Sequence, residues 1–146
     1  LPLKNDHKGL IVEQKVKNYN SYEWHSGILH EACLKLGANA DYLETAYRYD
    51  ADDEQRIQQA AKEYDTIVFT NYYLRTLLSN KKFLEEFLSW YKGTVVVVTN
   101  TPYEEISIPV NAKQVVISFA SSPENVKATA KVLYGDAQPE GVWPIV

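Results

Sequence analysis

The length, composition and charge of this chain exclude several classes of protein. Its 146 residues suffice for one hydrophobic core and are too few for two, so residues 1–146 are predicted to form a single domain. The net charge of −4 gives no electrostatic reason to expect a nucleic-acid or anionic-membrane partner, and no run approaches the roughly 18 apolar residues of a membrane span. Cys33 is the single cysteine, which excludes an internal disulfide and a cysteine-rich metal cluster.

Two features of the chain indicate a piece of a longer protein. It contains no methionine, and it opens with Leu-Pro-Leu-Lys rather than with the basic and then apolar segment of a secretory signal. Eleven tyrosines and three tryptophans are typical of a domain with a packed or sugar-facing side. We therefore expect a fragment, with a trimmed but self-sufficient domain as the alternative.

The first third of the chain predicts a strand, a helix and a second strand. Residues 9–12 form a short apolar run, and Ser26 is placed to cap a helix that ends at Gly37. Residues 40–46 predict a weak strand at an edge of the sheet, since they contain one large aliphatic side chain. The residues of the helix that share one face, and are predicted to be buried, are Ile28, Leu29, Ala32, Cys33 and Leu36.

A second helix and a third strand follow. The acidic stretch 50–54 predicts the capped start of a helix, because carboxylates favour the positive end of the helix dipole. A metal site in this acidic stretch is the weaker interpretation. Residues 66–70 predict the third strand. The buried face of the helix is predicted to consist of Ile57, Ala60, Ala61 and Tyr64.

The second half of the chain repeats the pattern. Asn80 is predicted to cap a helix that buries Phe83, Leu84, Phe87, Leu88 and Tyr91. Four consecutive valines then lie between a glycine and an Asn-Thr-Pro turn. Such a run has no polar face, so it predicts a strand that is covered on both sides, as in a parallel sheet with helices on each face.

The last elements complete the predicted sheet. Residues 114–119 predict a fifth strand, and Ser121 or Ser122 caps a final helix with Pro123 at its first position. That helix is predicted to bury Val126, Ala130 and Leu133 and to stop at Gly135. The Pro-punctuated tail 136–146 is expected to be extended and to lie along the domain.

The alternation of strands and helices predicts the fold class. It is α/β, a three-layer, doubly wound, mostly parallel sheet of about five or six strands with a flavodoxin-like shape. In this architecture ligands bind beyond the carboxyl ends of the strands. Those ends are predicted at residues 15–25, 70–75, 100–103 and 118–122.

These loops carry no recognisable catalytic motif. The sequence has no glycine-rich phosphate cradle and no Gly-x-Ser-x-Gly elbow, and Lys15 and Asn71 stand where a phospho-acceptor site would need carboxylates. His25 and His30 are five residues apart, about 140° around a helix, so they do not grip a metal from one face. The sequence therefore predicts no catalytic residue, no cofactor and no metal.

The same loops do carry aromatic and cationic side chains. Aromatic faces of this kind stack on sugars or pack against a neighbouring domain, and interface packing is the commoner case. The candidate residues for contact with a substrate or with another domain are Tyr22, Trp24, His25, Tyr72, Tyr73 and Arg75.

Three motifs, taken in order, resemble a known family. They are Asn100-Thr-Pro-Tyr-Glu-Glu-Ile after the valine strand, Ala130-Lys-Val-Leu-Tyr-Gly135 at the end of the last helix, and Pro139-Glu-Gly-Val-Trp-Pro-Ile in the tail. Together they resemble the C-terminal α/β sandwich domain of family 3 glycoside hydrolases. The opening Leu1-Pro-Leu-Lys4 is similar to the start of that domain. Trp143 and Ile145 depart in part from the family's tail pattern.

The resemblance implies that this domain works together with a second domain that carries the nucleophile. In this family the nucleophile lies in a preceding (β/α)8 barrel of the same polypeptide, the expected partner of this chain. In β-glucosidase-like members the general acid is a glutamate after the third strand of the α/β domain, whereas residues 71–78 here contain no carboxylate. In β-N-acetylglucosaminidase-like members a His–Asp pair on the barrel serves instead. The resemblance thus implies a non-catalytic domain of a bacterial N-acetylglucosaminidase-like enzyme, with carbohydrate as a second expected partner.

Two alternatives stay open at this level. One is a free-standing flavodoxin-like domain that binds a small ligand or a partner. The other is a β-glucosidase-like half-site in which Glu13 or Glu23 supplies the acid, although both are interpreted as solvated. The sequence does not determine the sugar, the linkage, the oligomeric state, or whether the protein is cytoplasmic, periplasmic or secreted.

Overall fold

The computed structural model describes residues 2–3, 5–17, 24–73, 79–101, 103–118, 123–135 and 143–145. Its strands are β1 (Gly9–Gln14), β2 (Val16–Lys17), β3 (Trp24–His25), β4 (Ala40–Thr45), β5 (Thr66–Thr70), β6 (Thr94–Thr99), β7 (Gln114–Ile117) and β8 (Trp143–Ile145). Its helices are α1 (Ile28–Lys35), α2 (Ala51–Ala60), α3 (Lys81–Trp90), α4 (Glu104–Ser107) and α5 (Pro123–Tyr134).

Six of the strands form one sheet in the order β4-β1-β5-β6-β7-β8. The first five are parallel, and β8 adds to the edge of β7 in the antiparallel sense. The predicted α/β, flavodoxin-like class is confirmed, and the predicted edge position of the second sheet strand, β4, is confirmed as well. Part of the extended tail forms β8. Strands β2 and β3 form a separate antiparallel pair.

The valine strand β6 divides its side chains between two apolar layers. Val96 and Val98 belong to one core cluster, and Val95 and Val97 belong to the other. Successive side chains of a strand point to opposite faces, so a run without polar residues is stable only where both faces are covered. The two-sided burial that the sequence predicts for this strand is confirmed.

Two pairs of helices cover the sheet. Helices α1 and α5 bury Leu29, Cys33, Val126, Ala130 and Leu133 in the first cluster. Helices α2 and α3 bury Ile57, Leu84 and Phe87 in the second, where Phe87 meets Phe69 of β5 edge to face. Among the helices of the described ranges, none is long and apolar enough to cross a membrane.

The start and the end of α1 differ from the prediction. Gly27, not Ser26, is the N-cap, with a φ of 85° that favours glycine, and the Ser26 hydroxyl instead donates to Glu44. Leu36 is 40% exposed because the helix ends at Lys35 and Leu36 is already its C-cap. Gly37 adopts a φ of 85° and ends the helical turn as predicted.

The caps of the other helices are partly as predicted. Asp50 and Asp53 form a reciprocal capping box at the start of α2, which confirms the capping interpretation of the acidic stretch. Asn80 is the N-cap of α3, but its side chain makes no capping bond. It bonds instead to the backbone of Tyr47 and Tyr49, after β4. Helix α5 begins at Pro123 as predicted, and Ser121 and Ser122 lie outside the described residues. The predicted inward residues that are only half-buried are Ile28, Ala32, Ala60, Ala61, Tyr64, Phe83, Leu88 and Tyr91.

Replacing Val97 by alanine tests the two-sided burial of β6. Val97 is fully buried, so its truncation loses apolar burial and leaves a small cavity. We expect the free energy of unfolding to fall by about 2 kcal/mol. Val110 is 81% exposed and provides the control, because Val110→Ala should change that energy by less than about 0.5 kcal/mol. Urea denaturation followed by circular dichroism measures both, and equal losses would contradict this account of β6.

Candidate functional site

The carboxyl edge of the parallel sheet is the place where this architecture binds ligands, and buried amide side chains occupy it. Gln14 ends β1, Asn71 follows β5, and Asn100 follows β6. Asn80, at the start of α3, lies next to them in the fold. We call Gln14, Asn71, Asn80 and Asn100 the amide network.

Gln14 joins three segments of the chain. Its backbone N–H donates to Thr70 Oγ1 at 2.9 Å, and its Nε2 donates to the carbonyl of Tyr47 at 2.6 Å. Its Oε1 accepts the backbone N–H of Tyr72 at 2.7 Å. The side chain therefore supplies the donor and the acceptor that the sheet no longer offers at its end.

Asn71 and Asn80 form the centre of the network. Asn71 Nδ2 donates to the carbonyl of Ser107 at 2.7 Å, and its Oδ1 accepts the backbone N–H of Asn80 at 2.8 Å. Asn80 Oδ1 accepts the N–H of Tyr49 at 2.8 Å, and its Nδ2 donates to the carbonyl of Tyr47 at 3.1 Å. These bonds tie the segments after β4 and β5 to one another and to the end of α4.

Asn100 makes two hydrogen bonds to the segment that follows β5. Its Oδ1 accepts the N–H of Tyr73 at 2.7 Å, and its Nδ2 donates to the carbonyl of the same residue at 3.0 Å. This is the pairing that a neighbouring strand would provide. The amide network thus continues the sheet ladder with side chains, and its polar groups are used by the protein itself.

Glu13 lies one residue before the end of β1, close to this edge, and it is buried with a structural role. Its Oε2 accepts the backbone N–H of Leu29 and its Oε1 that of His30, each at 3.0 Å, so it caps α1 from the neighbouring strand. Burial raises the pKa of Glu13, and the backbone donors of α1 oppose that rise. The prediction that Glu13 is solvated was wrong, because a polar residue within a buried strand can find its partners on a helix packed above it.

A second polar cluster lies beside β4, and it was not predicted from the sequence. Ser26 donates to Glu44 Oε2 at 2.7 Å and also bonds the Tyr42 hydroxyl, and Lys15 lies 3.1 Å from Glu44 Oε1. The hydrogen bond from Ser26, with smaller help from Lys15, lowers the pKa of Glu44. Partial burial raises the pKa of Tyr42 to about 12, and the ring stacks on His30 with 5.1 Å between centroids.

The acidic residues at the start of α2 come together as a cluster. Oxygen atoms of Asp50, Asp52 and Asp53 lie within 4.8 Å of one another. Asp53, however, accepts the N–H groups of Asp50 and Ala46 through one oxygen and pairs with Arg56 through the other. The cluster is therefore explained by helix capping and by the two ion pairs that Arg56 makes with Asp52 and Asp53.

The predicted contact residues are described to different extents. Tyr22 and Arg75 lie outside the described residues, and Trp24 and His25 are described only as strand β3. Tyr72 is buried in the core, and its burial raises the pKa of its hydroxyl, whereas Tyr73 is half-buried beside Asn100. Tyr72 and Tyr73 are thus joined to the amide network through their backbones. The sequence signal for this network was a polar residue directly after each apolar run.

Comparison with known proteins agrees with the resemblance at the level of the fold. No family model matches this sequence, and no curated protein matches it. The structure is similar to part of a glycoside hydrolase family 3 β-N-acetylglucosaminidase from Paenibacillus sp. str. FPU-7, with a TM-score of 0.79 and 14% sequence identity. The likeness shows the fold. It covers 93% of this chain and 26% of that one, so this chain spans about a quarter of the length of the protein it matches.

Replacing Asn71 by leucine tests the amide network. The substitution leaves the buried N–H of Asn80 and the carbonyl of Ser107 without their partner. We expect the free energy of unfolding to fall by roughly 2–4 kcal/mol. The control is Asn111→Leu, which removes one exposed bond to the carbonyl of Glu85 and should cost less than about 1 kcal/mol. Similar losses in urea denaturation for the two variants would contradict the role assigned to Asn71.

The raised pKa of Glu13 predicts a pH dependence of stability. A carboxyl group with a higher pKa in the folded state favours folding at low pH, and this contribution falls as the pH rises from the ordinary pKa of 4.5 through the folded value. The free energy of unfolding of the wild type should therefore fall relative to that of Glu13→Gln as the pH rises above 4.5.

The relevant quantity is the change with pH of the difference in unfolding free energy between the wild type and Glu13→Gln, because the substitution also weakens the cap of α1. Glu31→Gln, on the exposed face of the same helix, is the control and should keep the wild-type slope. A constant difference between the wild type and Glu13→Gln in urea denaturation across that pH range would show that burial does not dominate at Glu13.

Proposed function

We propose that residues 1–146 form a single, non-catalytic domain of a larger family 3 glycoside hydrolase that acts on β-linked N-acetylglucosamine or related glycosides. In this proposal the domain packs on the (β/α)8 catalytic barrel of the same polypeptide and supports it. The observation that carries the proposal is the fold likeness, which covers almost all of this chain and about a quarter of a β-N-acetylglucosaminidase.

The chemistry of the carboxyl edge supports the same function. Hydrolysis of a glycosidic bond needs two carboxyl-type groups, or equivalents, at a fixed separation across that bond. Among the described residues at this edge, the side chains are mainly amides and hydroxyls that already bond to the protein. A rigid edge with its own polar groups satisfied suits a supporting surface better than a site of proton transfer.

The β-glucosidase-like alternative depends on a free carboxylate. Glu13 does not suit that role, since both of its oxygens accept N–H groups of α1 and the side chain is buried. Glu23 lies outside the described residues, and experiment decides its part. A free-standing ligand-binding domain is the second alternative.

The contact residues of the proposal belong to the segments of the chain that follow β1 and β5. Tyr22, Trp24, His25 and Arg75 are proposed to face the barrel or the sugar, as their positions in the chain suggest. Tyr73 is half-buried and stays a candidate for the same surface. The buried Tyr72 would act by holding the loop through its backbone bond to Gln14.

The proposal predicts that activity needs the rest of the protein. The 146-residue chain should fold and show no turnover of an aryl N-acetyl-β-glucosaminide, because it supplies neither of the two reacting groups. The full-length protein of the native gene should hydrolyse the same compound, and a parallel aryl β-glucoside assay gives the sugar preference. Turnover by the folded 146-residue chain alone would refute the non-catalytic function, and a native gene without a barrel domain would favour the free-standing alternative.

Glu23→Gln in the full-length protein separates the two branches of the family. If the barrel carries the acid, the substitution should leave kcat within about twofold of the wild type. If Glu23 is the general acid, kcat should fall by about 10²–10⁴-fold. Lys17→Gln, in strand β2 and six residues earlier in the chain, serves as the control for a general disturbance of that segment. A loss of kcat confined to Glu23→Gln would establish the β-glucosidase-like alternative.

A further inference from the structure

A groove lies between α1 and α5, on the helix layer that covers the first core cluster. Its floor is aliphatic and is formed by Ile28 and Ala32 of α1 and by its C-cap Leu36, which are spaced four residues apart. Its volume is about 250 Å³. Eight residues of helix rise about 12 Å, which sets the length of the floor.

The rim of this groove is basic. Lys35 of α1 and Lys127 and Lys131 of α5 surround the floor, against one acid, Glu31. Glu31 pairs with Lys35 at 3.5 Å in an exposed and therefore weak ion pair. Lys127 and Lys131 form no ion pair with any residue in the described ranges. The rim thus carries two positive charges in excess, on a chain whose net charge is −4.

We propose that this groove binds a small aliphatic carboxylate. The aliphatic chain would lie along Ile28, Ala32 and Leu36, and the carboxylate would accept charge-assisted hydrogen bonds from Lys127 and Lys131. The ligand covers apolar surface that is otherwise open to water, since Leu36 is 40% exposed. This inference is independent of the function proposed above.

The size of the groove selects a small ligand over a protein partner. A stable protein–protein interface buries about 800 Å² on each partner and involves roughly 20–30 residues a side. The seven residues that line this groove are too few for that. Pockets for drug-sized ligands have about 300–1,000 Å³, so the volume here suits a ligand somewhat smaller than those. A chain of about eight carbons matches the length of the floor.

Titration of the 146-residue chain with octanoate, followed by the amide resonances of α1 and α5 in NMR, tests the proposal. We expect saturable shifts on these two helices with a dissociation constant on the order of 1 mM, as suits a ligand of about ten heavy atoms. Acetate, which has the charge without the chain, and octan-1-ol, which has the chain without the charge, should each bind at least about tenfold more weakly.

Two variants test the lysines of the rim and the aliphatic floor separately. The double variant Lys127→Gln/Lys131→Gln should weaken octanoate binding by about tenfold or more. Lys82→Gln/Lys92→Gln removes the same charge within and just after α3, away from the groove, and should leave binding unchanged. Ala32→Phe fills the floor at a half-buried position and should abolish the shifts while the thermal unfolding midpoint stays near that of the wild type.

Each possible result either supports or contradicts a carboxylate site in this groove. Saturable octanoate binding that is lost in both groove variants, and kept in the control, supports the proposal. Equal binding of octanoate and octan-1-ol would overturn the role of the lysines, and equal binding of octanoate and acetate would overturn the role of the floor. Shifts that appear away from α1 and α5, or no shifts at all, would refute a carboxylate site in this groove.

Discussion

A buried parallel sheet must satisfy its backbone hydrogen bonds even where its strands end, and this constraint explains the carboxyl edge of the protein. Within the sheet each peptide group pairs with a neighbouring strand, and the ladder extends one residue past β1 and β5 through the N–H groups of Lys15 and Asn71. Beyond that point the N–H groups of Tyr72 and Tyr73 bond to the side chains of Gln14 and Asn100, because an amide side chain carries the same donor and acceptor as a peptide group. The side chain of Asn71 bonds in the same way to the backbone of Ser107 and Asn80. The loops are therefore held by side chains that are themselves buried or half-buried.

The same constraint bears on function. An amide network that is complete within the protein gives a rigid edge, whereas a catalytic edge would keep polar groups available to a substrate. Glu13 shows the tendency most clearly, since a carboxylate near the expected ligand site is used to cap α1. The described side chains at this edge thus bond mainly to the protein itself, and the fold that holds them matches about a quarter of a glycoside hydrolase family 3 β-N-acetylglucosaminidase.

The two helix layers differ in what they leave at the surface. The layer of α2 and α3 packs around one deeply buried aromatic side chain of α3, Phe87, which contacts Phe69, Trp90 and Tyr91. Helices α1 and α5 have smaller and aliphatic residues at their contact, which leaves a groove between them with lysines along its rim. Small side chains at a helix–helix contact allow close packing at the centre and leave space at the margins. This difference gives the first layer a feature that suits a ligand.

The sequence by itself determined the order of the elements, the parallel sheet, the burial of Val96 and Val97 on opposite faces, and the capped start of α2 at Asp50. These features depend on local periodicity and on neighbours a few residues away. The tertiary structure alone decided the roles of Glu13, Ser26 and Asn80. Their partners lie 9 to 33 residues away in the chain, and nothing in the local pattern indicates which distant group they will meet.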